Sequence, residues 1–265
     1  MRTKIQGLLL GKNPFRERDV IGRLLLRNGK RVSVLFYGGR GGGKKMKSSP
    51  LEVGHLLSIE LGRFRQGLGT LYSAKECCPL WHYSKIRNSF EAFSLLCFYL
   101  ELIAKASPED DLSLDDGDEE HCGLFRVLSN AIFYLEDSLT KDRFSKGRHL
   151  AIFLSKLIIE LGITPNLDHC LYSDQRLSGL KHFQLLFEQG GFVDEEHLTK
   201  SSGDNHQKAW TLLSQSWKYP YGEMTKAMDG ESIEAPTEQL KLLYDYLLFQ
   251  TQIPREKMKT ASFVI

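Results

Sequence analysis

A glycine-rich basic segment between residues 38 and 47 has the composition that points most directly to chemistry. Within VSVLFYGGRGGGKKMKSSPL it holds five glycines and four cations, Arg40, Lys44, Lys45 and Lys47. Because glycine has no side chain, the backbone N–H groups of such a loop can approach a phosphate closely. The spacing of a G-x-x-x-x-G-K-[ST] phosphate loop is missing, and Met46 stands where Ser or Thr would follow the lysine. The segment therefore predicts a flexible anion-binding loop that follows a β-strand.

Positive charge is concentrated in the first quarter of the chain. Residues 1–66 contain fifteen Lys or Arg against four Asp or Glu, a net charge of +11, whereas the whole chain has +2, which leaves −9 for residues 67–265. Aromatic residues lie among these cations, and single-stranded nucleic acids need both cations for phosphates and rings for stacking. The predicted DNA-binding residues are Arg16, Arg18, Arg27, Lys30, Arg31, Arg40, Lys44, Lys45, Lys47, Arg63 and Arg65.

The other polar residues lack the pattern of a catalytic or metal centre. The eight histidines form no recognisable triad or carboxylate pair, so we expect no enzyme. Five cysteines without a C-x-x-C pair argue against a disulfide framework and against bound zinc, and we expect no cofactor. No apolar run reaches the roughly 18 residues of a membrane span, and a signal peptide is not evident. The sequence thus favours a cytoplasmic protein without a membrane partner.

Two features of the later sequence indicate contacts with other proteins. Phe125, Arg126 and Arg148 place cations beside apolar helix faces, an arrangement that could receive a peptide with an acidic, aromatic end; a core face flanked by extended arginines is the alternative. Eight acidic residues lie between Glu109 and Glu120. They fit a solvated loop, a competitor for the basic surface, or a strip that docks a basic partner.

The elements that must position these residues change type near residue 80. Residues 1 to about 75 read as five short strands with turn signals, among them Asn28-Gly29, a favoured two-residue hairpin turn. From about Ser84 the apolar residues recur at helical spacing. We predict an α+β, multidomain protein: an OB-type five-stranded barrel over residues 1–80 and a helical domain over 81–265, with an irregular excursion at 165–205.

The order of several segments resembles the RecO family of bacterial recombination mediators. GLLLGKNPFRERDVIGRLLLRNGKRVSVLFYGGRGGGKKMKSSPL is similar to the family's opening strand and barrel segment, and VGHLLSIELGRFRQGLGTLYSAKE to the next two strands. The most specific piece is LIIELGITPNLDHC, which resembles a Leu-Gly-x-x-Pro-x-Leu-x-x-Cys stretch of the family. The tail YLLFQTQIPREKMKTAS resembles the final helix and its lysine-rich ending.

The resemblance implies a function without covalent chemistry. RecO-like proteins bind single- and double-stranded DNA, anneal complementary strands, bind the C-terminal tail of single-stranded DNA-binding protein (SSB), and act with RecR to load RecA; localisation at the nucleoid follows. The resemblance supports Phe125, Arg126 and Arg148 as the receptor for that tail. Many relatives carry a four-cysteine zinc module, of which only Cys170 is present here, and Ser173 stands where the second cysteine would be. The excursion at 165–205 therefore reads as a degenerate zinc module.

Two other functions remain open from the residues alone. The basic barrel could contact an acidic protein partner, which would make the chain a non-enzymatic adaptor. It could also bind RNA, as other OB-type barrels do. Retention of labelled oligonucleotide on a filter tests whether the chain is an adaptor. Competition between DNA and RNA of equal length tests whether it binds RNA.

Overall fold

A computed structural model describes six stretches of the chain, which form two compact units. The described residues are 4–40, 51–62, 72–109, 123–197, 204–227 and 237–265. The units are Met1–Glu136 and Asp137–Ile265. The last strand of the barrel ends at Trp81, whereas the first unit continues to Glu136, because the unit includes helical residues as well. The domain boundary at residue 80 stays a prediction.

The first unit begins with five strands, β1 (Lys4–Phe15), β2 (Asp19–Leu26), β3 (Arg31–Phe36), β4 (Leu56–Leu61) and β5 (Tyr72–Trp81). They form a closed barrel in the order β1-β2-β3-β5-β4. All neighbours are antiparallel except β3 and β5, which pair in parallel and close the barrel. The predicted five-stranded barrel, followed by a helical part, is confirmed.

Alternation along β3 explains how the barrel core forms. Val32, Val34 and Phe36 are at most 2 % exposed and belong to the central apolar cluster. Burial of each such side chain contributes roughly 1.5–3 kcal/mol. Gly22 on β2 makes room for the largest of them, since a Cβ there would lie 2.7 Å from Cε2 of Phe36. Of the intervening residues, Ser33 is half-buried, and Leu35 is buried but lies outside that cluster.

The turn between β2 and β3 differs from the predicted two-residue hairpin. The N–H of Leu26 donates to the carbonyl of Lys30 at 2.9 Å, which leaves three residues in the turn. Gly29 lies in the left-handed region with φ of 79°, and the N–H of Lys30 donates to Oδ1 of Asn28 at 3.0 Å. The Asn-Gly signal therefore located the hairpin correctly and gave the wrong turn length, because three-residue turns also place glycine at the left-handed position.

Six helices are described, and serine side chains begin two of them. They are α1 (Phe90–Ala106), α2 (Gly123–Thr140), α3 (Lys146–Glu160), α4 (Asn205–Lys218), α5 (Tyr221–Ala227) and α6 (Thr237–Thr251). Ser89 and Ser145 accept backbone N–H bonds from Ala92 and Arg148, which satisfies donors that a helix start leaves unpaired. Gly162, two residues after the end of α3, has a left-handed φ of 69°, a conformation common where a helix ends. No described helix has the length and apolarity needed to cross a membrane.

The predicted irregular excursion contains a small hairpin, β6 (Phe183–Leu186) and β7 (Gly191–Asp194). Phe183 contacts Phe192 and Trp210 edge to face, with ring centroids 5.4 and 5.6 Å apart. The buried sulfur of Cys170 accepts the N–H of Ser173 at 3.4 Å and that of Asp194 at 3.3 Å. These contacts hold the segment together by packing and hydrogen bonds. Among the described residues no cluster of three or more His, Cys, Asp or Glu side chains occurs that could hold a metal ion, and the absence of zinc stays a prediction.

Candidate nucleic-acid interface

The predicted cations of the barrel separate into two groups at opposite ends of the β2–β3 hairpin. The β1–β2 turn at 16–18 and the exit of β3 at 37–40 lie at one end, which we call the open end. The β2–β3 turn at 27–30 and the start of β3 lie at the other, which we call the braced end. The eight residues of β2 separate the two ends by about 26 Å, at roughly 3.3 Å per residue.

Backbone and side-chain hydrogen bonds join the two chain segments of the open end. Oδ1 of Asp19 accepts the N–H of Gly38 at 2.9 Å, and the carbonyl of Arg18 accepts the N–H of Arg40 at 3.1 Å. Nη1 of Arg40 also donates to the carbonyl of Glu17 at 3.4 Å. Arg16 has a left-handed φ of 53°, which lets β1 reverse into β2. A tight turn thus brings three arginines from two segments to one place.

The side chains of the open end suit a flexible polyanion. Arg16, Arg18 and Arg40 are exposed, and that of Arg18 makes no hydrogen bond or ion pair within the described ranges. The guanidinium of Arg16 lies 5.2 Å from the ring centre of Phe15, and Tyr37 is 41 % exposed. Exposed Glu17 lies between two of the arginines, and lowers the net charge of the end. Cations for phosphates and rings for bases are therefore both present.

The predicted lysines of the glycine-rich segment continue from the open end along the chain. Lys44, Lys45 and Lys47 follow Arg40 by four, five and seven residues and lie outside the described residues, as do Arg63 and Arg65. Their assignment to DNA binding stays a prediction.

Arg31 at the braced end is occupied by contacts within the first unit. Its Nη1 donates to the carbonyl of Ala104 at 2.5 Å, and its Nη2 lies 3.1 Å from Oε1 of Glu109. Its backbone N–H donates to the carbonyl of Pro108 at 2.7 Å. The side chain is 21 % exposed. The guanidinium thus links β3 to the end of α1, and the assignment of Arg31 to DNA binding stays a prediction.

Arg27, the other arginine of the braced end, contacts protein groups too. Its Nε donates to Oε1 of Gln6 at 3.2 Å, and its guanidinium lies 5.4 Å from the ring centre of Phe125. Lys30 is half-buried in the same turn and has interaction partners as well. The braced end therefore joins the barrel to the helices of its own unit. Arg27 is nevertheless exposed, and the assignment of Arg27 and Lys30 to DNA binding stays a prediction.

Two ionisable side chains that pack between barrel and helices have shifted pKa values. Burial lowers the pKa of His55 to about 4, and its buried Nε2 has no hydrogen-bond partner within the described ranges. Burial alone would raise the pKa of Glu136, but hydrogen bonds from the N–H groups of Lys85, Ser84 and Ile86 to its carboxylate lower it below its ordinary value. These donors lie 2.8–3.0 Å from the carboxylate oxygens. Neutral imidazole and charged carboxylate are thus the forms that fit the fold.

The residues predicted to bind the SSB tail are placed in different units. Phe125 is only 7 % exposed, and Arg27 covers its ring. Arg126 is exposed on the same helix, and Arg148 is half-buried in the second unit. Both arginines interact with other residues. Their assignment stays a prediction.

The second unit contains a concave site that was not predicted from the sequence. It is a cleft of about 440 Å³ whose lining includes Trp210, Trp217, Lys218 and Arg176. The signal was present in the sequence, because residues seven apart on a helix share a face, and both tryptophans lie on α4.

Comparison with known proteins identifies relatives that share a common description. The chain is 24 % identical over 257 residues to a protein of Chlorobium limicola called "DNA repair protein RecO", covering 93 % of this chain and 91 % of that protein. It is 30 % identical over 201 residues to the "DNA repair protein RecO" of Chlorobaculum parvum, covering 73 % and 71 %. A Bacillus velezensis protein of the same description is 24 % identical over 195 residues, covering 73 % and 68 %. No family model matches the chain.

Proposed function

The chain belongs to the RecO family of DNA repair proteins, and from this premise we propose that it is a non-enzymatic mediator of repair and homologous recombination. In this proposal the open end of the barrel binds single- and double-stranded DNA through the phosphate backbone. The observation that supports this proposal is that exposed Arg16, Arg18 and Arg40 lie at one end of the barrel together with exposed Tyr37.

Strand annealing follows from the charge at this surface. Two DNA strands repel one another, and their bases must remain accessible while the repulsion is neutralised. Exposed arginines meet both needs, because they displace counterions from phosphates and read no base sequence. Because contacts with phosphates carry no sequence information, little sequence preference is expected.

The partners we propose are those of the family: RecR, the C-terminal tail of SSB, and RecA as the recombinase that is loaded. SSB coats single strands, so a mediator needs a contact with SSB as well as with DNA. Arg126 or Arg148 remains the proposed cation for the tail. Because Arg27 covers Phe125, a tail phenyl group would need a different apolar neighbour or a displaced Arg27.

Annealing of two complementary oligonucleotides, with and without SSB, tests the proposal. We expect the wild-type chain to accelerate annealing in both conditions, and the variant Arg16→Ala/Arg18→Ala/Arg40→Ala to lose most of the acceleration. An adaptor would leave labelled oligonucleotide unretained on a filter at low salt. A strong preference for RNA over DNA of equal length would instead favour an RNA-binding barrel.

A further inference from the structure

The cleft in the second unit has one wall formed by α4. Trp210, Ser214 and Trp217 lie on one face of that helix, and Lys218 follows at its end. Trp217 is 63 % exposed, an unusual state for so large an apolar ring. Its size and exposure make it a stacking platform, since an open indole face can accept any base.

The opposite wall is the segment around Cys170, and hydrogen bonds fix it against α4. Nε1 of Trp210 donates to the carbonyl of Leu167 at 2.8 Å. Oδ1 of Asn166 accepts the N–H of Asp168 at 3.0 Å and that of His169 at 3.2 Å. The cleft is therefore built in advance of any ligand, and its volume of about 440 Å³ falls within the roughly 300–1,000 Å³ of small-molecule sites.

Charge at the cleft selects an anion that also carries hydrogen-bond donors. Arg176 and Lys218 are exposed lining residues, and neither forms an ion pair in the part of the chain that the structure describes. Asp168, also exposed, lines the same cleft. Its carboxylate repels an acidic peptide, but it can accept the amino group of a cytosine or another base. A nucleotide matches this combination of ring, cations and carboxylate better than an acidic protein tail does.

We propose that this cleft is a second nucleic-acid site, which binds one nucleotide unit of a single strand with its base on Trp217 and its phosphates near Arg176 and Lys218. The inference rests on the proposed DNA-binding function and adds a site in a different unit from the open end of the barrel. A protein with two strand sites can hold one strand while a second is bound elsewhere.

The test uses the full chain with Arg16, Arg18 and Arg40 changed to alanine, so that binding at the open end is reduced. A labelled oligodeoxycytidine of about twenty nucleotides is titrated by fluorescence anisotropy, and tryptophan quenching is followed in parallel. We expect residual binding with quenching, and a further five- to tenfold loss of affinity on Trp217→Ala, consistent with about 1–1.4 kcal/mol per stacked base. Phe263→Ala, which removes a ring that is 59 % exposed elsewhere in the unit, should leave affinity unchanged.

A second variant separates phosphate contacts from stacking. Arg176→Ala/Lys218→Ala should lower the salt slope of the residual binding by about 1.4, at roughly 0.7 per phosphate contact of a single strand. An abasic strand of equal length should bind without quenching. Any of three results would overturn the inference. The Trp217→Ala change could leave the affinity unaltered, or the abasic strand could quench as much as the normal strand. An acidic, phenylalanine-ended peptide could also compete more strongly than oligonucleotide.

The same titrations keep this inference distinct from the proposed function. If the triple variant binds like the wild type while Trp217→Ala weakens binding, the open end is the wrong location for DNA and the cleft is supported. If the triple variant loses affinity and Trp217→Ala causes no further loss, the open end is supported and the cleft is not a nucleic-acid site.

Discussion

The arginines at the two ends of the β2–β3 hairpin have similar sequence surroundings but differ in their contacts. Arg16, Arg18 and Arg40 at the open end are exposed, and their contacts are mainly with backbone carbonyls and a neighbouring ring. At the braced end, Arg31 is tied to Ala104 and Glu109, and Arg27 to Gln6 and Phe125. Positive charge in the sequence therefore does not by itself indicate a DNA contact. We expect a DNA contact only where no other element of the fold reaches the guanidinium first.

Removal of the open-end arginines should have the largest effect. We expect Arg16→Ala/Arg18→Ala/Arg40→Ala to weaken single-strand binding on the order of 100-fold at 0.1 M salt, because three phosphate contacts release about two counterions. Stability should change little, as these side chains are exposed. Fluorescence anisotropy with a labelled oligonucleotide measures the affinity, and urea unfolding provides the control. An unchanged affinity would place the DNA elsewhere, for example at the cleft of the second unit.

Acid should lower the stability of the fold without changing the charge of the open end. The pKa of His55 is lowered to about 4 from an ordinary value near 6.5, so the unfolded chain binds the proton first as pH falls. Stability is then fully present above pH 6.5 and declines toward pH 4, by on the order of 2–3 kcal/mol. Glu136, whose pKa is also lowered, adds a loss only below its ordinary range near 4.5.

Urea unfolding between pH 7 and pH 4 measures this loss, and His55→Phe is the matched variant. The variant cannot take up a proton at this position, so most of the change in unfolding free energy between pH 6.5 and pH 4 should vanish. Persistence of the full slope would assign it to another group. Arginines do not titrate in this range, so the charge of the open end stays constant.

Arg31→Ala should lower stability by about 1–3 kcal/mol, because a partly buried carbonyl and a carboxylate lose their charged donor. Arg18→Ala is the matched control at the open end and should stay within about 0.5 kcal/mol of the wild type. Urea unfolding at pH 7 compares them. Equal stabilities of the two variants would mean that the braced end is braced by other residues.

Tyr37→Ala should have the smallest effect, about a fivefold loss of single-strand affinity, near the low end for a stacked base. Tyr37→Phe keeps the ring and should bind like the wild type. If the phenylalanine variant loses as much as the alanine variant, the hydroxyl rather than the ring face makes the contact.

Local signals in the sequence predicted the barrel, and long-range contacts explain what they missed. The alternation of Val32, Val34 and Phe36 follows from the period of a strand and required no knowledge of partners. The parallel pairing of β3 with β5 had no local signal, since it joins residues such as Val34 and Tyr72 that are far apart in sequence. The position of the turn at Asn28-Gly29 was predicted correctly, whereas its length was not.

The candidate site was predictable in composition and only partly in geometry. The count of cations in residues 1–66 pointed to a polyanion. It could not reveal that Arg31 reaches Ala104 or that Arg27 reaches Phe125, because these partners lie 73 and 98 positions further along the chain. The spacing of Trp210 and Trp217 on α4 was a signal for the cleft, but the sequence did not show that the segment around Cys170 forms its other wall.

The salt dependence of single-strand binding tests the central claim most directly, when it is measured for the open-end triple variant and for Arg27→Ala/Arg31→Ala side by side. The slope of log affinity against log salt concentration should become shallower by about 2 for the open-end variant and by less than about 0.5 for the braced-end variant. Equal changes in the two slopes, or a larger change for the braced-end variant, would contradict the division of the barrel into a DNA-binding end and a structural end.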